Sequence, residues 1–161
     1  MTPDRELLIS IIQQYRDELI ATVCRRLQHL HDSHYEVIDY DSHVEREERF
    51  LNALLDGLQK PAGSDFVNFV EHLSETRADE GYTLEEFQEA FNIVEDSLWK
   101  MLAREYGHND AFIDMWSITA GVFRRAKDRV AQTYLDKAQL AERELEHLRK
   151  KFRVYRKVGH H

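Results

Sequence analysis

The chain is predicted to fold as an all-α bundle of about five helices, the last of which runs on as a coiled-coil stalk. Three observations carry this. Apolar residues recur at helical spacing along most of the 161 residues. Two prolines and six glycines supply too few turn formers for a chain of short strands. From Ala131 the apolar positions fall at Ala131, Tyr134, Ala138, Ala141, Leu145, Leu148, Phe152 and Tyr155, in alternating steps of three and four. That alternation is the heptad seam of a two-stranded coiled coil.

The first helix opens with Thr2 as N-cap and Pro3 at the first helical position, where a missing N–H costs nothing. Its inner stripe is Leu8, Ile12, Tyr15, Leu19, Val23 and Leu27. It frays after Leu30 into HDSHYEVIDYD, which lacks helical period. Ser42 with Glu45 reads as a capping box for the second helix, which carries Val44, Phe50, Leu51, Leu54, Leu55 and Leu58 and stops before Pro61. The third begins near Ser64, carries Phe66, Val67, Phe69, Val70 and Leu73, and ends at Gly81 as a left-handed cap.

Thr83 and Glu86 form a second capping box. Leu84, Phe87, Phe91, Val94, Leu98, Met101 and Leu102 follow as the stripe of the fourth helix. Gly107 and Asn109 turn the chain into the fifth, which packs through Phe112, Ile113, Trp116, Ala120, Phe123 and Val130 before it leaves the body. Between Asp110 and Lys157 there is no Pro and one Gly, Gly121. Such a helix is roughly 70 Å long at about 1.5 Å per residue. The shorter helices cannot cover it, so an identical chain is the simplest partner for the seam. Leu145, Leu148, Phe152 and Tyr155 should carry most of that burial. The expected division is a body over 1–135, a stalk over 136–157, and a tail over 158–161 in which Gly159, His160 and His161 read as a tag remnant.

The net charge of −8 is split. Residues 1–123 hold 10 Lys/Arg against 25 Asp/Glu, and residues 124–161 hold 12 against 5. A basic end can seek nucleic acid, but here its charges flank an apolar seam and the acidic body repels a polyanion. No nucleic-acid partner is expected. No apolar run reaches the length of a membrane span and MTPDRELL lacks a signal peptide's features, so no membrane insertion is expected. The lone Cys24 fits a reducing cytoplasm and, on a helical stripe, reads as a small buried hydrophobe.

Several patterns could carry chemistry, and each also has a plainer reading. His29, His31 and His34, with Asp32 among them, have the density of a zinc or nickel site but straddle a fraying helix end without a fourth ligand. Glu105/His108 and Glu144/His147 have di-iron spacing, but Gly107 interrupts the first and the second lies on the stalk. His72 has Glu71 and Glu75 beside it, which would repel a phosphoryl donor. No phosphate loop, nucleophile elbow, H-E-x-x-H or paired-Cys motif occurs. No enzyme and no cofactor are expected. A small-ligand or haem sensor, with His72 as the axial ligand, is the alternative, and a small helical metalloprotein comes behind it. Tyr82, Trp99 and Trp116, with His72, are the candidate pocket residues, against the competing reading of ordinary core packing.

One stretch carries a resemblance. Glu75-Thr76-Arg77-Ala78-Asp79-Glu80-Gly81-Tyr82-Thr83-Leu84-Glu85-Glu86-Phe87, followed by Phe91, Val94, Leu98 and Trp99, resembles the R-A-x-x-G-x-x-L junction and the apolar helix after it. That junction belongs to the N-terminal domain of RsbT co-antagonist proteins of the RsbR type, a domain also found at the front of bacterial sensor kinases. Gly81, Thr83 and Glu86 have local capping roles in it, while Arg77 is not explained by them. The resemblance implies an all-helical, non-catalytic, dimerising input domain in the bacterial cytoplasm. Its last helix would lead into an output domain. This chain has no output domain, so either the sequence is cut or the protein acts by binding a downstream signalling protein.

Overall fold

The computed structural model describes residues 1–60 and 63–158. Pro61, expected as the stop of the second helix, and the 159–161 tail lie outside the described residues. Among the described residues there are six helices and no strand: α1 (Pro3–Gln14), α2 (Arg16–Gln28), α3 (Tyr40–Leu58), α4 (Ser64–Asp79), α5 (Leu84–Tyr106) and α6 (Phe112–Val158). The sixth arises because the expected first helix bends at Tyr15, whose φ of −101° and ψ of 12° leave the helical region. Hydrogen bonding carries on through the bend, from Tyr15 N–H to the Ile11 carbonyl at 3.0 Å and from Leu19 N–H to the Tyr15 carbonyl at 2.9 Å. The bend lets α1 follow α6 and α3 while α2 follows α3 and α5. The Tyr15 hydroxyl donates to the Glu105 carboxylate at 3.0 Å and pins the corner to the far end of α5.

Two further local expectations are corrected. The second predicted helix, α3, is capped by Asp39, not Ser42: the Asp39 carboxylate accepts from Ser42 N–H at 2.7 Å. An aspartate three residues upstream takes the donor first, and Glu45 pairs with Arg49 instead. On α6 the inward stripe is Met115, Thr119, Val122, Phe123, Ala126 and Val130, while Ile113 is 74% exposed. The buried Thr119 hydroxyl is satisfied by the Met115 carbonyl at 2.9 Å.

The core centres on four phenylalanines. Phe50, Phe66, Phe91 and Phe123 come from α3, α4, α5 and α6, with ring centroids 5.1–6.4 Å apart. Gly57 lets α4 approach α3: a Cβ there would lie 2.6 Å from the Phe66 Cβ. α6 packs most extensively along α4. Its described residues from 138 to 157 are exposed, including Leu145, Leu148, Phe152 and Tyr155. Among the described residues no helix is long and apolar enough to cross a membrane.

The α4–α5 junction closes as a Schellman turn. Tyr82 N–H reaches back to the Arg77 carbonyl at 2.9 Å and Gly81 N–H to the Ala78 carbonyl at 3.1 Å. Gly81 holds φ at +92°, and an added Cβ would meet nothing nearer than His34 Nε2 at 3.8 Å. A Cβ there therefore meets no clash, and the main cost of substitution is the backbone conformation. Gly81→Val is expected to lower folding stability by about 1 kcal/mol or more, read from chemical denaturation. A variant as stable as the parent would mean that another residue can take this turn.

Candidate functional site

A partly open cavity of ≈ 310 Å³ lies between α3, α4 and α5, lined also by Leu27 of α2 and Tyr35 of the loop before α3. Its walls are mainly apolar, with Phe50, Phe69, Phe87, Phe91 and Val94 among them. Exposed Arg49, His72 and Thr76 stand at its rim. Four polar side chains complete the lining: His43, Arg46 and Glu47 from α3, and Arg77 from α4.

Each of these is set by its helix position. His43 and Glu47 are one turn apart, on the same stripe as Phe50 and Leu54, so both are turned inward. His43 is 1% exposed, and its Nε2–H donates to the Tyr35 carbonyl at 2.8 Å. A carbonyl only accepts, so Nδ1 is left as an acceptor, and it has no partner. Burial holds the ring below the usual histidine range, against the pull of the Tyr35 bond. Glu47 is 8% exposed and its Oε2 is buried without a partner. Burial pushes its carboxyl up to about 8, although Arg46 and Arg77 pull it down. The Arg77 side chain is 10% exposed, touches Glu80 only at 3.4 Å and beyond, and sits 5.6 Å over the Tyr82 ring. Arg46 donates to the Tyr82 hydroxyl at 3.2 Å.

The residues singled out in the sequence do not converge. His72 stands at the rim, its side chain 84% exposed, 3.8 Å from Glu75. Tyr82 is buried behind Arg77 and stacks on His34 at 4.6 Å. Trp99 and Trp116 meet edge to face at 4.9 Å beside Phe112, on the α5–α6 face and away from the cavity. The three loop histidines are also separated. His29 Nδ1–H donates to the Arg25 carbonyl, His31 pairs with Glu36 and His34 with Glu86. Among the described residues no group of three His, Cys, Asp or Glu is placed to hold a metal. His43, Arg46 and Glu47 are not among the residues that the sequence motifs single out. Their signal was the inner stripe of α3 continued backwards from Phe50, which runs through a histidine and a glutamate.

The junction with the resemblance has a second job. Glu86 completes the Thr83 capping box and also accepts from His34 N–H at 2.9 Å and His34 Nδ1–H at 2.6 Å. Burial alone would raise the Glu86 carboxyl, but these bonds outweigh it and hold it below the usual range. On the outer side the Tyr134 hydroxyl of α6 donates to the Tyr82 carbonyl at 2.8 Å, and Lys137 pairs with Asp79 at 2.7 Å. Arg129 pairs with Glu71 of α4 at 2.7 Å. The segment that walls the cavity through Thr76, Arg77 and Phe87 thus also holds α6 where it leaves the body.

One helix, α4, thus walls the cavity on one face and packs along the long outgoing helix α6 on the other. Residues 14–149 match the family described as the RsbT co-antagonist protein rsbRD N-terminal domain, and the chain belongs to that family. This is a family of regulatory signalling domains. No curated protein and no solved structure matches the chain.

Proposed function

We propose that the chain is a non-catalytic signalling input domain of the bacterial cytoplasm, acting in a stress response as a parallel homodimer. Its body, 1–135, receives the signal, and its stalk, 136–157, relays it as a shift or rotation of α6. The recipient is a downstream signalling protein, of the kind the family description names in RsbT, or a fused output domain. The observation that carries this reading is α6: 47 residues without a break, held to the cavity wall near its middle and exposing an apolar heptad over its far end. Exposed leucine, phenylalanine and tyrosine at heptad spacing find burial in a second copy, at roughly 1.5–3 kcal/mol per large side chain.

The test is oligomeric state. Light scattering of the full chain should give twice the 19.2 kDa of one chain. Replacing Leu148 and Phe152 together by glutamate should shift it to the single-chain mass with the helical content kept. A variant that stays dimeric would put the interface in the body and defeat the stalk reading.

A further inference from the structure

We propose that the cavity between α3, α4 and α5 binds a small organic acid: a ring-sized apolar body bearing a carboxylate with a hydrogen-bond donor beside it. The volume, ≈ 310 Å³, is in the range of small-molecule pockets and about ten times the share of one water. Two buried polar atoms in its wall, His43 Nδ1 and Glu47 Oε2, lack partners. Such orphans are costly in a folded interior and are expected where a ligand completes them.

The chemistry of the wall selects the ligand. Arg46 and Arg77 give it fixed positive charge. Arg77 is nearly buried, yet its guanidinium has only long contacts to Glu80, so most of its N–H donors are free for a carboxylate. Glu47 does not cancel that charge while it holds its proton, and its O–H then serves as a further donor. His43 Nδ1 is an acceptor and calls for an N–H or O–H next to the acid group. Phe50, Phe69 and Phe91 provide faces and edges for an apolar ring.

Position gives the site its meaning. Arg77 lies on α4 against Tyr82, whose carbonyl holds Tyr134 of α6. A ligand that draws on Arg77 acts on the joint from which the long helix departs. The site deepens the input-domain reading and rests on it only in calling the ligand a signal. Binding is read here without reference to oligomeric state, so failure of either idea leaves the other standing.

Indole-2-carboxylate is a suitable probe, since its ring N–H lies beside its carboxylate. Titration calorimetry of the full chain at neutral pH should show one site with a dissociation constant below about 1 mM. Indole-2-carboxamide, which lacks the charge, and 1-methylindole-2-carboxylate, which lacks the donor, should each bind at least about tenfold more weakly. Arg77→Met should weaken the acid by a similar factor; if that variant does not fold, Arg46→Met takes its place. Absence of binding by the acid, meaning a cavity filled by solvent only, would overturn the proposal. So would an amide or N-methyl analogue that binds as well as the acid, or an arginine variant that binds it unchanged.

Discussion

Phe66→Ala is expected to cost about 3–5 kcal/mol of folding stability, enough to leave a domain of ordinary stability barely folded. Phe66 is fully buried and touches the rings of Phe50, Phe91 and Phe123, so one truncation opens a void bordered by four of the six helices. Collapse cannot close it easily. Its backbone is already drawn up to α3, where a Cβ on Gly57 would be 3.1 Å from the Phe66 nitrogen. Gly57→Ala should therefore be destabilising as well, through overpacking at the same crossing. Denaturant unfolding at neutral pH measures both. A loss below about 1.5 kcal/mol for Phe66→Ala would mean that the aromatic cluster is not the closed centre described.

Glu47→Gln is expected to remove a steep pH dependence. An unfolded glutamate releases its proton near 4.5, whereas folded Glu47 keeps it until about 8. Below that window both states are protonated. Within it the folded state binds one proton more, so stability falls as pH rises, by up to about 1.4 kcal/mol per unit. Above it both states are ionised and the loss is complete. The glutamine variant should be close to the parent near the acid end and more stable by several kcal/mol at the alkaline end. His43 contributes the opposite trend below the ordinary histidine range, but it does so in both proteins and cancels in the comparison. Arg46 and Arg77 are the opposing influences. If parent and variant melt in parallel from about pH 5 to pH 9, these two arginines hold Glu47 ionised.

What could be read from the sequence was what is decided locally. Thr2, the Thr83–Glu86 box and the turn at Gly81 involve neighbours three or four residues away, and they stand where spacing placed them. The bend at Tyr15 has no Pro or Gly to announce it, because its cause is the different partners of α1 and α2. Ile113 and Met115 are both apolar at the start of α6, and only packing decides that Met115 faces in. The candidate site was harder. Arg77 and His72 were noticed, but His43 and Glu47 look like ordinary surface residues of a charged helix. Their burial depends on α4 and α5 closing over them, which is a property of the assembled body. Trp99 and Trp116 attracted notice by size and sit elsewhere.

The acidic body and basic last helix have a physical consequence where they touch. Arg129–Glu71, Lys137–Asp79 and Lys127–Glu95 all cross from α6 to the body, and their side chains are partly exposed. Each is modest in water and weakens further as salt is added. The phenylalanine centre is not screened in this way. Added salt therefore weakens the polar rim of this seam, while the buried Met115, Val122, Phe123, Ala126 and Val130 keep α6 on the body.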